Sequence, residues 1–241
     1  SLGIERRATN RSLRLAELLG DDGSITREAF DRYKFDLAYS PRSNVARRVK
    51  VILEGPDPQV PLLREAVSAL RRWDLRTNPE NVHAALALLA LRPRFDDSAP
   101  PVDRSDLLRA LEASAERLRR TFGRTDVPWG DVLRLRRGPV DLPLGGGPDV
   151  LRAIYSTPAR DGRLKGIAGD SYILQVEWDL EGRVRSRSVH QFGSATLDAG
   201  SAHYADQAPL FARGELKTVW FDEAELRPHV KREYRPGQVE R

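Results

Sequence analysis

Near residue 125 the apolar pattern of this chain changes period, and that change restricts the fold more than any single motif does. Upstream, leucine, valine and alanine recur at three- and four-residue spacing. Downstream, a clear stretch alternates every second residue. The first spacing stacks side chains on one face of a helix, and the second places them on one face of a strand. The chain is therefore expected to be α+β: a helical region over residues 1–124, then a β-rich region over 125–241 built of antiparallel strands. At 241 residues there is enough chain to bury a real core.

The helical half carries its own punctuation. In "TNRSLRLAELLG", Thr9 or Asn10 is the expected cap, Leu15, Leu18 and Leu19 the apolar face, and Gly20 the stop. "SITREAFDRYKFDLAYS" offers Ser24 as cap, with Glu28 near the capping-box position and Phe30, Tyr33 and Leu37 as its face. Helices are expected next over Asn44 to Leu53 and Val60 to Trp73. In "NPENVHAALALLAL", Asn78 is the expected cap and Pro79 the first helical residue, before a face broad enough for deep burial. Asp103 or Ser105 opens a further helix that Gly123 ends, and the proline-rich residues 93–103 read as a loop.

In the second half, "SYILQVEW" is rich in β-formers. It is followed by Glu181-Gly182 and by the alternating "RVRSRSV", which together read as a hairpin. The triple glycine of "LPLGGGPD" is not a phosphate loop: no Gly-Lys-Ser/Thr follows, and Pro148 removes a backbone donor. No repeat and no low-complexity tract occurs.

Composition excludes several chemistries. The chain has no cysteine, so it has no disulfide, thiolate metal site or cysteine nucleophile. Its four histidines show no metal-helix spacing, and no cofactor motif is present, so neither metal nor cofactor is expected. No Gly-x-Ser-x-Gly elbow occurs. No apolar run is long enough to span a membrane, and "SLGIERRATN" is charged within five residues, unlike a signal peptide. The net charge of +5 is an arginine surplus, but acidic residues are interspersed throughout and leave no unbroken phosphate-binding stripe. His83, within an apolar segment, reads as a packed histidine. His190 lies at a strand end and His229 in a charged tail. Trp73 and Trp129 read as buried aromatics with an acid nearby. One cluster looks like a site: His203, Tyr204, Asp206 and Gln207 in "SAHYADQAPLFARG". On physical grounds it is better read as a helix start, with Asp206 as cap, Pro209 in the first turn and Gly214 as stop.

Taken in order, several segments resemble the penicillin acylase family. "SAHYADQAPLFARGELKTVWF" resembles the family's Ser-Pro-His-Tyr-x-Asp-Gln segment near its carboxyl end. "WGDVLRLRRGPVDLPLGGGPDVLRAIY" and "GDSYILQVEW" resemble the acyl-homoserine-lactone and aculeacin acylase branch, and "ERRATNRSLRLAELL" and "LRRWDLRTN" resemble the helical region before it. This likeness implies part of a larger αββα sandwich and an N-terminal nucleophile hydrolase. Such enzymes are precursors that cut themselves to expose a serine, whose α-amino group then acts as its base. A histidine, a backbone amide and an asparagine stabilise the oxyanion.

Ser1 is not expected to be that serine, because "SLGIERRATNR" leads straight into a helix. The chain is instead expected to be a carboxyl-terminal piece, inactive alone, with the nucleophile upstream. The likeness implies one catalytic-site position here, Arg11, matched on "TNRSLRLAELL" and serving the nucleophile's surroundings. It also implies the upstream β-chain segment and the α chain as partners, and a small acyl amide as substrate. A periplasmic or secreted location follows from the same likeness. No nucleic-acid partner and no membrane span are expected, and the piece is expected to pair with itself through open strands. A second reading stays open: a self-standing helical and β module that binds an anionic partner through its arginine-rich first half.

Overall fold

Thr9 turns an extended stretch into the first helix by accepting the Ser12 amide on its hydroxyl at 3.3 Å. The structure, a computed structural model, describes residues 8–20, 22–93, 103–195, 197–233, 235 and 237. Ser1 and most of the proline-rich segment expected to be a loop lie outside the described residues. The opening helix, α1 (Asn10–Leu19), buries only Asn10. Its expected apolar face is not covered, since Leu15 and Leu19 are 41% and 40% exposed. Gly20 does end α1, but in a right-handed conformation that any residue adopts.

α2 (Arg27–Lys34) is capped by Thr26, which accepts from the Ala29 amide at 3.1 Å. Ser24 is two residues too early for that role. Its own amide donates to Asp22 at 3.0 Å, forming a turn before the helix. Phe30 is exposed, Tyr33 is half-buried with its hydroxyl donating to Asp22, and Leu37 lies past the helix end.

α3 (Asn44–Leu53) and α4 (Pro61–Arg72) fall where their periodicity places them. α5 (Ala84–Leu91) starts later than the Asn78 cap and Pro79 first position imply. The carbonyls of Pro79 and Asn81 are taken by the Gly130 and Trp129 amides at 2.7 and 3.0 Å, so they cannot serve a helical turn. The Asn81 side chain accepts from the amides of His83 and Ala84 at the true start. α5 is buried on nearly every side, with all but Leu89 of its residues in the core. It packs on α6 (Arg104–Phe122), which Asp103 caps and Gly123 ends at φ +75, a left-handed turn that glycine adopts freely. Leu86, Leu111 and Leu118 are fully buried between these layers, each worth about 2 kcal/mol of burial.

A single turn, α7 (Trp129–Val132), feeds the first sheet. Its strands are β1 (Leu133–Arg137), β2 (Val140–Pro143), β3 (Ile154–Pro158) and β4 (Leu164–Gly169), in the order β2-β1-β4-β3. β1 and β4 run parallel, so this sheet is mixed. The second sheet is antiparallel throughout. The expected hairpin forms it as β5 (Tyr172–Trp178) and β6 (Val184–His190), and β7 (Lys217–Val219) pairs on the far side of β6. Between β6 and β7 lies α8 (Ala208–Arg213), and α9 (Glu223–Leu226) follows β7. One hydrophobic core runs through both halves, from Tyr39 and Ile52 through Leu111 and Leu135 to Phe211.

The glycine triplet is a packing device. Trp129 donates its indole N–H to the Gly146 carbonyl at 2.8 Å, and a Cβ on Gly146 would sit 2.5 Å from the Arg152 carbonyl. Trp73 is likewise buried, with its indole on the Arg76 carbonyl at 2.8 Å.

β5 has two different faces. Ile173 is buried on one, whereas Tyr172, Leu174 and Trp178 on the other are 50%, 46% and 66% exposed. No further strand pairs with β5 among the described residues.

Candidate functional site

The His203 cluster is not a helix cap. Asp206 Oδ2 accepts the His203 Nδ1–H at 2.8 Å, and both side chains are exposed. Gln207, one residue later, occupies the cap position of α8 without a side-chain bond to the helix. It is buried and its Oε1 accepts the His190 amide at 3.0 Å, so it ties the helix to the end of β6. Tyr204 lies under the Arg137 guanidinium, 4.2 Å from the ring centroid. Gly214 ends α8 in the left-handed conformation. The cluster is an anchor between α8, β6 and β1, with the exposed His203–Asp206 hydrogen bond at its tip.

The other histidines are packing residues. His190 stacks on Tyr172 at 4.7 Å and His229 on Trp220 at 4.1 Å. His83 precedes α5 with a buried Nδ1 that has no partner among the described residues. Burial, and then the Arg72 charge, lower its pKa and favour the neutral ring. Among the described residues no group of three His, Asp or Glu side chains could hold a metal ion. Much of the arginine surplus is locally paired: Arg134 and Arg136 share Asp141 at 2.7 and 3.1 Å, and Arg136 also reaches Asp161 at 2.6 Å.

Arg11 sits in a more elaborate setting. It follows buried Asn10, whose side chain bridges three segments. Asn10 Nδ2 donates to the carbonyls of Asp149 at 2.9 Å and Ala38 at 3.2 Å, while its Oδ1 accepts the Ser40 amide at 2.7 Å. The Asn10 amide itself donates to Asp149 Oδ2 at 2.8 Å, and Arg11 Nε donates to Asp149 Oδ1 at 3.4 Å. Asp149 thus closes the amino end of α1 with a carboxylate, which the helix dipole favours. It does so at φ +61, a left-handed conformation rare outside glycine and best tolerated by Asn and Asp. Burial raises its pKa, against the opposing pull of the Asn10 amide and the Arg11 charge.

Tyr155 and Tyr39 flank this group. Both phenols are pushed above their usual range by burial, and the Asp149 charge adds to it. Tyr39 donates to the Pro148 carbonyl at 2.6 Å. On its open side Arg11 lines a groove of about 530 Å³ walled by Leu15, Leu19, Phe30, Tyr33 and Leu151. The arrangement holds the Arg11 guanidinium, one-third exposed, against a mainly apolar groove that Lys34 also lines.

The sequence-level reading reached Arg11 but not Asp149, which lies 138 residues away and shows its role only through its backbone conformation. The glycines and Pro148 ahead of it mark an irregular loop; they do not mark its partner.

The family model for penicillin amidase matches residues 3–228, nearly the whole chain. The chain belongs to the penicillin amidase family. It is similar to an acyl-homoserine lactone acylase PvdQ of Pseudomonas fluorescens, 36% identical over 131 residues, which are 53% of this chain and 16% of that protein. The PvdQ acylase of a second strain is 28% identical over 191 residues, 68% of this chain and 24% of its own length. A thermostable penicillin G acylase from Alcaligenes faecalis aligns in structure with TM-score 0.48 and 13% identity, covering 99% of this chain and 54% of that one. The chain thus spans about a quarter or less of the curated relatives it matches. No helix among the described residues is long and apolar enough to cross a membrane.

Proposed function

We propose that this chain is part of an acylase that hydrolyses the amide between an acyl group and an amine, with a penicillin-type or acyl-homoserine-lactone-type substrate. The observation that carries the reading is the penicillin amidase match over residues 3–228. In this reading an N-terminal serine outside these 241 residues is the nucleophile. The remainder of the enzyme, an upstream β-chain segment and an α chain, is the partner, and these 241 residues alone are inactive. The uncovered faces of α1 and β5 are in keeping with a chain that meets further protein. Arg11 acts by charge and position. Held by Asp149 and Asn10, it presents a fixed cation beside the nucleophile's surroundings, where preorganised charge lowers a barrier without reorganisation. A periplasmic or secreted location goes with this reading.

The test is reconstitution. The 241-residue chain is assayed alone, and then after co-expression with the upstream part of its open reading frame, against penicillin G and a long-chain acyl-homoserine lactone. Turnover is expected only with the upstream part present. Turnover by the 241 residues alone that disappears on Ser1→Ala would overturn the placement of the nucleophile. Absence of amide hydrolysis in the complete protein, across both substrate classes, would remove the acylase reading itself.

A further inference from the structure

Arg152, just before β3, is buried to 4% exposure, yet among the described residues its hydrogen bonds go to main-chain carbonyls alone. Nη2 donates to the carbonyl of Phe211 and, at 3.5 Å, to that of Ala212, both at the carboxyl end of α8. The guanidinium lies between two aromatic rings, with Cζ 5.4 Å from the Phe35 centroid and 5.0 Å from that of Phe211. Nε is buried and has no hydrogen-bond partner among the described residues. Burial lowers the pKa of the group to about 10, with the Asp170 charge as the only opposing influence.

Holding α8 in place needs only Nη2. The positive charge is left largely uncompensated, Nε being buried without a partner among the described residues, and the residue lines a cleft of about 570 Å³. Buried guanidinium groups ordinarily meet a carboxylate, whose two oxygens match the planar fork. The cleft is walled mainly by apolar groups, among them Phe35, Leu142, Pro209 and Ala212. Its other charged lining residues are Glu80 and Arg213, and the latter already pairs with Glu215 at 2.8 Å. The Glu80 carboxylate and the apolar walls disfavour a strongly hydrated dianion such as phosphate. They leave room for a single negative charge with a hydrocarbon attached. Its volume falls within the roughly 300–1,000 Å³ typical of small-molecule sites.

We propose that this cleft is a binding site for a monocarboxylate with an apolar tail, its head group on Arg152 and its tail along Phe35, Leu142 and Pro209. The site is separate from the Arg11 groove, and the proposal does not rest on the hydrolase reading.

The test is calorimetric titration of octanoate into the purified 241-residue chain, with octanol and inorganic phosphate as parallel probes. Octanoate is expected to bind saturably at one site, at least tenfold more tightly than either comparator. Arg152→Gln should weaken octanoate at least tenfold. Ala212→Trp fills the cleft from α8 and keeps both carbonyls that Arg152 uses; it should weaken octanoate to the same degree while circular dichroism and Tm stay unchanged. Should Arg152→Gln fail to fold, the octanol comparison and Ala212→Trp carry the test. Octanol or phosphate binding as tightly as octanoate, no saturable octanoate binding, or an affinity indifferent to Ala212→Trp would overturn the proposal.

Discussion

Replacing Asn10 by alanine removes the side chain on which the Arg11 site is built, and the structure sets the size of the loss. Three hydrogen bonds disappear: two from Nδ2 to the carbonyls of Ala38 and Asp149, and one from the Ser40 amide to Oδ1. A typical intramolecular bond contributes about 1 kcal/mol net, and a buried donor left unsatisfied adds about 1–3 kcal/mol. Ser40 is fully buried, so its amide has no water to turn to. The expected loss is about 4–6 kcal/mol, a large part of the roughly 5–15 kcal/mol that holds a domain together. In urea unfolding, with an m-value of about 3 kcal/mol per molar, the midpoint should fall by about 1.3–2 M at unchanged m. Asn10→Asp is the informative comparison. It keeps an acceptor for Ser40 but loses both donations and sets a second carboxylate beside Asp149, so it should be no less damaging than alanine near neutral pH. A loss under about 1 kcal/mol for Asn10→Ala would mean that the three bonds carry little, and that α1 is held by something other than Asn10.

The remaining expectations concern charge, catalysis and association. The folded pKa of Asp149 is raised above its ordinary 3.8, so its contribution to stability is fully present below that value and is lost as pH rises through the folded pKa. Asp149→Asn should therefore flatten the stability curve over that interval; equal slopes for variant and parent in pH-dependent urea unfolding would refute this. On the role proposed for Arg11, Arg11→Ala in a complete, active enzyme should lower kcat by more than it raises KM, since a fixed cation in that role would act mainly on the transition state. Parent-like kinetics would remove Arg11 from the site. At micromolar concentration the 241-residue chain should self-associate through the open edge and exposed face of β5, and Leu174→Lys with Trp178→Lys should return it to monomer in light scattering. A strictly monomeric parent would show that this face is tolerated in water.

What the sequence made legible was whatever its neighbours within four residues decide. α3 and α6 fall where expected because Ser43, Asp103 and Gly123 are local caps, each satisfied by an adjacent turn. The β5–β6 hairpin was equally visible, since alternation and the glycine turn are both local. The misplaced caps failed to competing partners, one set distant in sequence and the others within three residues. Asn78 and Pro79 do not start α5 because the Pro79 and Asn81 carbonyls bind Gly130 and Trp129, some 50 residues on. Asp206 does not cap α8 because the His203 ring takes its carboxylate. Periodicity marked Leu15 and Leu19 as a face, but it carries no information on what covers that face. The candidate site divides the same way: Arg11 was singled out from a resemblance of motifs, whereas the bond from Arg11 to Asp149 is a contact that no local pattern encodes.

The span between Asn10 and Asp149 also sets a clock. Asn10 leaves the ribosome long before its partner, and their bond joins residues 139 positions apart. At translation rates of about 5–20 residues per second, the wait is roughly 7–28 s. Helices such as α3 to α6 have their packing partners close in sequence and are able to collapse within that interval. α1 is not, because the loop that receives it has yet to be made. During those seconds Leu15 and Leu19 are open to any chaperone or neighbouring chain, and the contact of Arg11 with Asp149 forms only after the whole helical half has been made.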